Sequence, residues 1–109
     1  MCFQQTSPPG PVCYPRDMEN RNIEHYRNEI DRVDDDLLQL FNERAHYAIE
    51  IGLEKRHLGM PIEVPEREAG IIQRMIAANH GPLDQEAIVR LFETVIGESR
   101  IAERAMLEG

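Results

Sequence analysis

Between Ile23 and Ile51 the chain places apolar residues at steps of three and four: Ile23, Tyr26, Ile30, Val33, Leu37, Leu40/Phe41, Ala48 and Ile51. That is the period of one helix face. No glycine or proline interrupts it before Gly52, and an interior glycine costs only about 1 kcal/mol against alanine, so the helix continues to the break at Gly59 and Pro61. Starting near Asn20, it spans about 37 residues, roughly 55 Å at 1.5 Å per residue. A compact domain of about 100 residues has a radius of gyration near 13 Å. A helix this long overhangs such a domain, and its apolar stripe is covered only if a second chain lies beside it, most simply in a two-fold dimer. The stripe is wider than a two-position seam, which predicts pairing of long helices and not a strict coiled coil.

Two further helices follow. "PERE" opens the second, with Pro65 suited to a first-turn position. It carries Ile71, Ile72, Met75 and Ile76 and stops at "NHGP", residues 79–82. Asp84 is a good N-cap for the third, which carries Ile88, Leu91, Phe92, Val95, Ile96, Ile101 and Ala102. No segment alternates with period two. The expectation is an all-α domain over residues 19–109, three helices with one long and two short, assembled as an intertwined homodimer. Residues 1–18 are rich in proline and read as a flexible tail. The tail holds both cysteines, Cys2 and Cys13, which read as free thiols in a reducing cytoplasm. It lacks the basic and apolar regions of a secretory signal, and no apolar run is long enough to span a bilayer.

The formal charge of −8 argues against nucleic acid or an anionic membrane as partner. It leaves open a small anion, which responds to the local field of a pocket. Lys55 is the single lysine among twelve basic residues, and it stands just before the helix break. It follows Arg44 by eleven residues, and eleven steps of 100° bring the two side chains to within about 20° of one direction, roughly 16 Å apart along the axis. Two long cations on one face can close around a small ligand, although an arginine snorkelling at the core edge accounts for either alone. Arg27 lies about 25 Å up the helix from Arg44, too far to share a small site within one chain. An antiparallel partner could bring it there; alone, it reads as a solvated arginine beside acidic neighbours such as Asp31. Ser99 and Glu103, at i and i+4, extend the apolar stripe of the third helix, as a pocket lining or as the wet end of that stripe. Arg67 and Glu68 open the second helix, where an early glutamate is also a good first-turn residue.

The four histidines show no paired ligand spacing, and no glycine-rich phosphate loop or nucleophile elbow occurs. What the residues offer is a set of cations with a few neutral or acidic hydrogen-bonding partners, which suits a small di-anion and contains no obvious nucleophile.

The run "YRNEIDRVDDDLLQLFNERAHYAIEIGLEKRHLGMPIEVPEREAGIIQRM", followed by "LFETVIGESRIAERAM", resembles the all-helical, AroQ-class chorismate mutases over roughly residues 20 to 106. The elements in combination are R-x-x-I-D in the first turns, E-R midway, K before the break, P-x-x-x-P-E-R-E, and the serine of the third helix. The resemblance implies an intertwined three-helix dimer that converts chorismate to prephenate by an intramolecular Claisen rearrangement in phenylalanine and tyrosine biosynthesis, without cofactor or metal. It implies that Arg27 is donated across the dimer, that Arg44 binds a substrate carboxylate, and that Lys55 and Glu103 contact the ether oxygen. Arg67 then stands at the start of the second helix, Glu68 accepts from the substrate hydroxyl, and Ser99 lies near a carboxylate. Such a rearrangement needs a di-acid held in its reactive conformer and charge placed where the breaking C–O bond becomes negative.

Two positions depart from the usual pattern. Val64 stands where the family usually has an aspartate on the substrate hydroxyl. The isochorismate–pyruvate lyases of the same fold also tend to lack that acid, but they generally lack the Glu68 counterpart as well, so the mutase is the expected activity and the lyase the alternative. Glu103 stands where many members have glutamine, and it donates to an ether oxygen only with its proton on. A third reading is a non-catalytic helical partner of another shikimate-pathway enzyme, and association with such an enzyme is compatible with an active mutase too.

Overall fold

The computed structural model describes the backbone of residues 16–108 and the side chains of residues 22–108. Three helices make up the described part: α1, Arg16–Leu58; α2, Pro65–Ala78; and α3, Gln85–Glu108. Among the described residues there is no strand. The expected tail therefore falls mostly outside the description, Cys2 and Cys13 included, but its last residues, 16–18, already belong to α1. Periodicity missed this start because residues 16–22 are almost wholly polar. Helical backbone hydrogen bonds do not depend on an apolar side chain, so the helix begins before its stripe does.

At 43 residues, α1 is about 65 Å long at 1.5 Å per residue, and it sets the longest extent of the molecule, 64 Å. The radius of gyration is 19.0 Å, well above the roughly 13 Å of a compact domain of about 100 residues. The helix ends in a Schellman motif. Gly59 takes φ +74°, Met60 N–H donates to the Lys55 carbonyl at 2.8 Å, and Gly59 N–H donates to that of Arg56 at 3.3 Å. Only glycine takes that φ cheaply, and Pro61 two residues on forbids any continuation. Asn79 shapes the second turn, donating from Nδ2 to the Leu83 carbonyl and accepting from Gly81 N–H. Asp84 caps α3 as expected, its Oδ1 accepting from Ala87 N–H at 2.8 Å.

Helix α3 packs against both α1 and α2 and is the centre of the fold. The buried apolar residues are Ile71 on α2 and Ile88, Ile96 and Leu107 on α3. The stripe of α1 has no cover within the chain. Ile23, Tyr26, Ile30, Val33, Leu37 and Phe41 are between 41 and 63% exposed, far more apolar surface than an isolated chain normally leaves in one patch. The single residue of α1 that is buried, among those described, is Gly52.

Candidate active site

The end of α1, the link 59–64, the start of α2 and the middle of α3 enclose a cavity of about 250 Å³. Seven of the eight residues singled out from the sequence line it: Arg44, Lys55, Val64, Arg67, Glu68, Ser99 and Glu103. Arg27 does not. It is exposed on the far part of α1 and paired at 3.5 Å with Glu24, one turn before it, and not with Asp31.

The polar groups are held from outside their own helices. Arg44 donates from Nη1 to Ser99 Oγ at 2.8 Å, so α3 fixes the arginine of α1. Its guanidinium is pushed below the ordinary arginine value, first by burial and then by the nearby charge of Arg67. Both causes disfavour the charged form, and the second reflects two guanidinium groups brought close together in one site. Lys55 is tied down twice. Its carbonyl accepts from Met60 N–H in the Schellman motif, and its Nζ donates to the Ile62 carbonyl at 2.8 Å. An ammonium has three donors, so two remain for a ligand.

Among the described residues, Ser99 and Glu103 are the buried polar ones, 5% and 7% exposed. Their i, i+4 spacing therefore marks a pocket lining, not the wet end of a stripe. Glu103 lies against Gly52: a Cβ built there would fall 2.4 Å from Glu103 Oε2 and 2.6 Å from its Cγ. The glycine inside α1 is what allows a carboxylate of α3 to approach the helix axis. Glu68 is bound from outside the expected set, with Arg100 Nη2 donating to its Oε2 at 2.5 Å. One turn further along α3, Arg104 pairs with Glu63 of the link. These two ion pairs fasten the link and the first turn of α2 to α3. Helix α2 needs that support: its N-cap is Val64, which offers no side-chain cap.

Four cations, Arg44, Lys55, Arg67 and Arg100, thus face two carboxylates, Glu68 and Glu103, in a chain whose overall charge is −8. Among the residues that line the cavity, neither Ser99 nor Lys55 is set against a base in the arrangement that activates a nucleophile. Its chemistry is to bind an anion, orient it and place charge. The sequence reading missed Arg100 and the role of Gly52, along with Tyr47, Ile51, Ile62, Ile71 and Ile96 in the cavity wall. Arg100 carried a signal: it continues the four-residue step Ile88–Phe92–Ile96, as Ser99 and Glu103 extend the same stripe.

The family description "Chorismate mutase type II" matches residues 26–104. The chain belongs to this family. Among its relatives, the bifunctional chorismate mutase/prephenate dehydratase of Aquifex aeolicus is 40% identical over 78 residues, covering 68% of this chain and 22% of that protein. The protein of the same description from Neisseria gonorrhoeae is 41% identical over 81 residues, covering 74% and 22%. The chain thus spans about a fifth of the length of these relatives. Among solved structures, a chorismate mutase of Thermus thermophilus superposes with a TM-score of 0.74 at 35% identity, covering 76% of this chain and 94% of that one. The chorismate mutase of Helicobacter pylori in complex with prephenate gives 0.74 at 30% identity, covering 81% and 96%. The three-helix fold is that of the all-helical chorismate mutases.

Proposed function

We propose that the chain is a chorismate mutase, rearranging chorismate to prephenate in a homodimer to which each subunit lends an arginine. The observation that carries this reading is the cavity where Arg44, held by Ser99, and Lys55, held by the Ile62 carbonyl, face the buried Glu103. In the reaction one ether C–O bond breaks as one C–C bond forms, within a single molecule and with no proton, electron or group exchanged. The site has only to hold the di-acid folded and stabilise negative charge on the departing oxygen. An acceleration of about 10⁶-fold corresponds to roughly 8 kcal/mol. Arginine forks on the two carboxylates, Lys55 and a protonated Glu103 on the ether oxygen, and Glu68 on the ring hydroxyl are the means. A compact ammonium suits a single oxygen better than a planar fork does, which gives the one lysine its place.

The second carboxylate calls for the partner's Arg27. The exposed stripe of α1 supports a second copy laid along it, and the exposed Arg27, whose only partner among the described residues is the equally exposed Glu24, supports donation to the other subunit's cavity. The fused dehydratase in the bacterial relatives supports association with an enzyme that consumes prephenate. No helix among the described residues is long and apolar enough to cross a membrane, in keeping with work on a soluble metabolite in the cytoplasm.

Val64 in the cavity wall favours one other reading, the isochorismate–pyruvate lyase, whose site dispenses with an acid there. Purified protein assayed with both substrates decides. Prephenate from chorismate is expected, and pyruvate from isochorismate without any prephenate from chorismate would overturn the mutase. Arg44→Ala should abolish turnover while leaving helix content and dimer intact; unchanged turnover in that variant would mean that this cavity is not where the chemistry occurs.

A further inference from the structure

We propose that Arg100 is a positioning residue that fixes the Glu68 carboxylate for a ring hydroxyl of the substrate, replacing the acid that Val64 does not provide. The inference rests on the mutase reading and adds to it a residue that acts through another. Arg100 follows Ser99 directly on α3, so their side chains leave the helix about 100° apart. Ser99 turns toward α1 to hold Arg44, and Arg100 turns toward α2 to hold Glu68.

The contact is short and sheltered. Nη2 lies 2.5 Å from Glu68 Oε2, and both side chains are 29% exposed. It is also one-sided. Arg100 Nε is buried without a hydrogen-bond partner, so the side-on fork of the guanidinium is half used and the carboxylate is gripped by a single oxygen. Among the described residues Oε1 accepts no hydrogen bond, which leaves it to accept from a ligand. A bidentate pair would occupy both oxygens. A carboxylate with no cation would be free to rotate.

The pair also forms a wall. Glu68, Ile96 and Arg100 line the substrate cavity and, on their other side, a second cavity of about 330 Å³ bounded by Pro65, Ala69 and Glu93. Without the guanidinium the Glu68 side chain can swing into that space, away from the substrate. Val64 has no hydrogen-bonding side chain to take over the hydroxyl.

The test compares Arg100→Leu, Arg100→Lys, Glu68→Gln and the double variant R100L/E68Q on chorismate and on an analogue whose ring hydroxyl is replaced by hydrogen. Arg100→Leu should lower kcat/KM for chorismate by about tenfold to a hundredfold, the range of a hydrogen bond to a charged group. It should leave kcat/KM for the deoxy analogue within about twofold of wild type, since the hydroxyl contact is then missing from both. Adding R100L to E68Q should cost little more, and Arg100→Lys, which keeps one charged donor, should recover most of the loss. Equal losses on the two substrates, or additive losses in the double variant, would make Arg100 a structural residue and overturn the proposal. Wild-type activity on chorismate with R100L indistinguishable from it would overturn the proposal alone. A wild type that forms no prephenate would overturn the mutase reading, and this proposal with it.

Discussion

Replacing Gly52 by alanine adds one methyl group to a helix, yet it should disable the enzyme while barely changing its stability. The new Cβ would stand 2.4 Å from Glu103 Oε2, 2.6 Å from Cγ and 2.9 Å from Cδ. Ordinary contacts begin near 3.4 Å, so the glutamate must withdraw by about 1 Å, and because Cγ is among the clashing atoms a small tilt of the carboxylate is not enough. A displacement of about 1 Å at a positioned group costs on the order of 10²-fold in rate, or about 2.7 kcal/mol of barrier. Stability responds differently. Alanine gains about 1 kcal/mol of helix propensity over glycine, and forcing a side chain off its rotamer costs about 0.5–1.5 kcal/mol, so the two nearly cancel. Steady-state kinetics and thermal melts on G52A should therefore show kcat/KM down by about a hundredfold with Tm almost unchanged. Placing G52A on E103A removes the obstruction. The double variant should be no slower than E103A and more stable by about 1 kcal/mol. A G52A enzyme with wild-type kcat/KM would refute the reasoning, because Glu103 would then tolerate displacement from the position claimed for it.

Three other perturbations probe separate parts of the site. Inactive R27A and R44A subunits, unfolded and refolded together in equal amounts, should regain about a quarter of wild-type activity, since half the dimers are mixed and each mixed dimer has one intact site; no recovery, with mixed dimers demonstrated, would place both arginines in one chain's site. Glu103→Gln keeps a hydrogen-bond donor for the ether oxygen and should retain most of kcat/KM, whereas Glu103→Ala should lower it by about a hundredfold; equal losses in the two variants would contradict the role proposed for Glu103. Val64→Asp gives α2 the side-chain cap it lacks and should raise stability by about 1 kcal/mol, measured by denaturant unfolding; no gain would mean that the ion pairs Arg100–Glu68 and Arg104–Glu63 already hold that end of the helix.

What the sequence disclosed depended on whether a feature lay along one helix or between two. Eleven residues between Arg44 and Lys55 fix their relative direction by arithmetic alone, and the structure puts both on one cavity. The break at Gly59 and Pro61, the cap at Asp84 and the shared face of Ser99 and Glu103 were legible for the same reason, each being set within a few residues of its own helix; that this face lines a pocket stayed open, because it depends on α1. Arg100 and Gly52 were not. The partner of Arg100 is Glu68, 32 residues away, and the role of Gly52 exists only because Glu103 of another helix comes to rest against it. As a helix residue Gly52 looked like a tolerated defect. The start of α1 was misplaced because an apolar stripe reports where a helix is buried, and residues 16–22 supply almost none.

The lowered proton affinity of the Arg44 guanidinium links this geometry to the energetics of the reaction. In the free site, burial and the neighbouring Arg67 both act against that charge, and an anion bound beside the two arginines would favour it. Glu68 is paired with Arg100, and the role proposed for Glu103 is at the ether oxygen. A di-anion entering the cavity would bring its carboxylates to the arginines, which hold it in the folded conformer. That attraction changes little as the bonds break, so it serves binding and orientation. The charge at the ether oxygen is different, because it finds its partner only as the C–O bond lengthens. Lys55 is suited to this second task because it is anchored at both its carbonyl and its ammonium before any substrate arrives, and a donor that need not reorganise during the reaction contributes its full effect to the barrier.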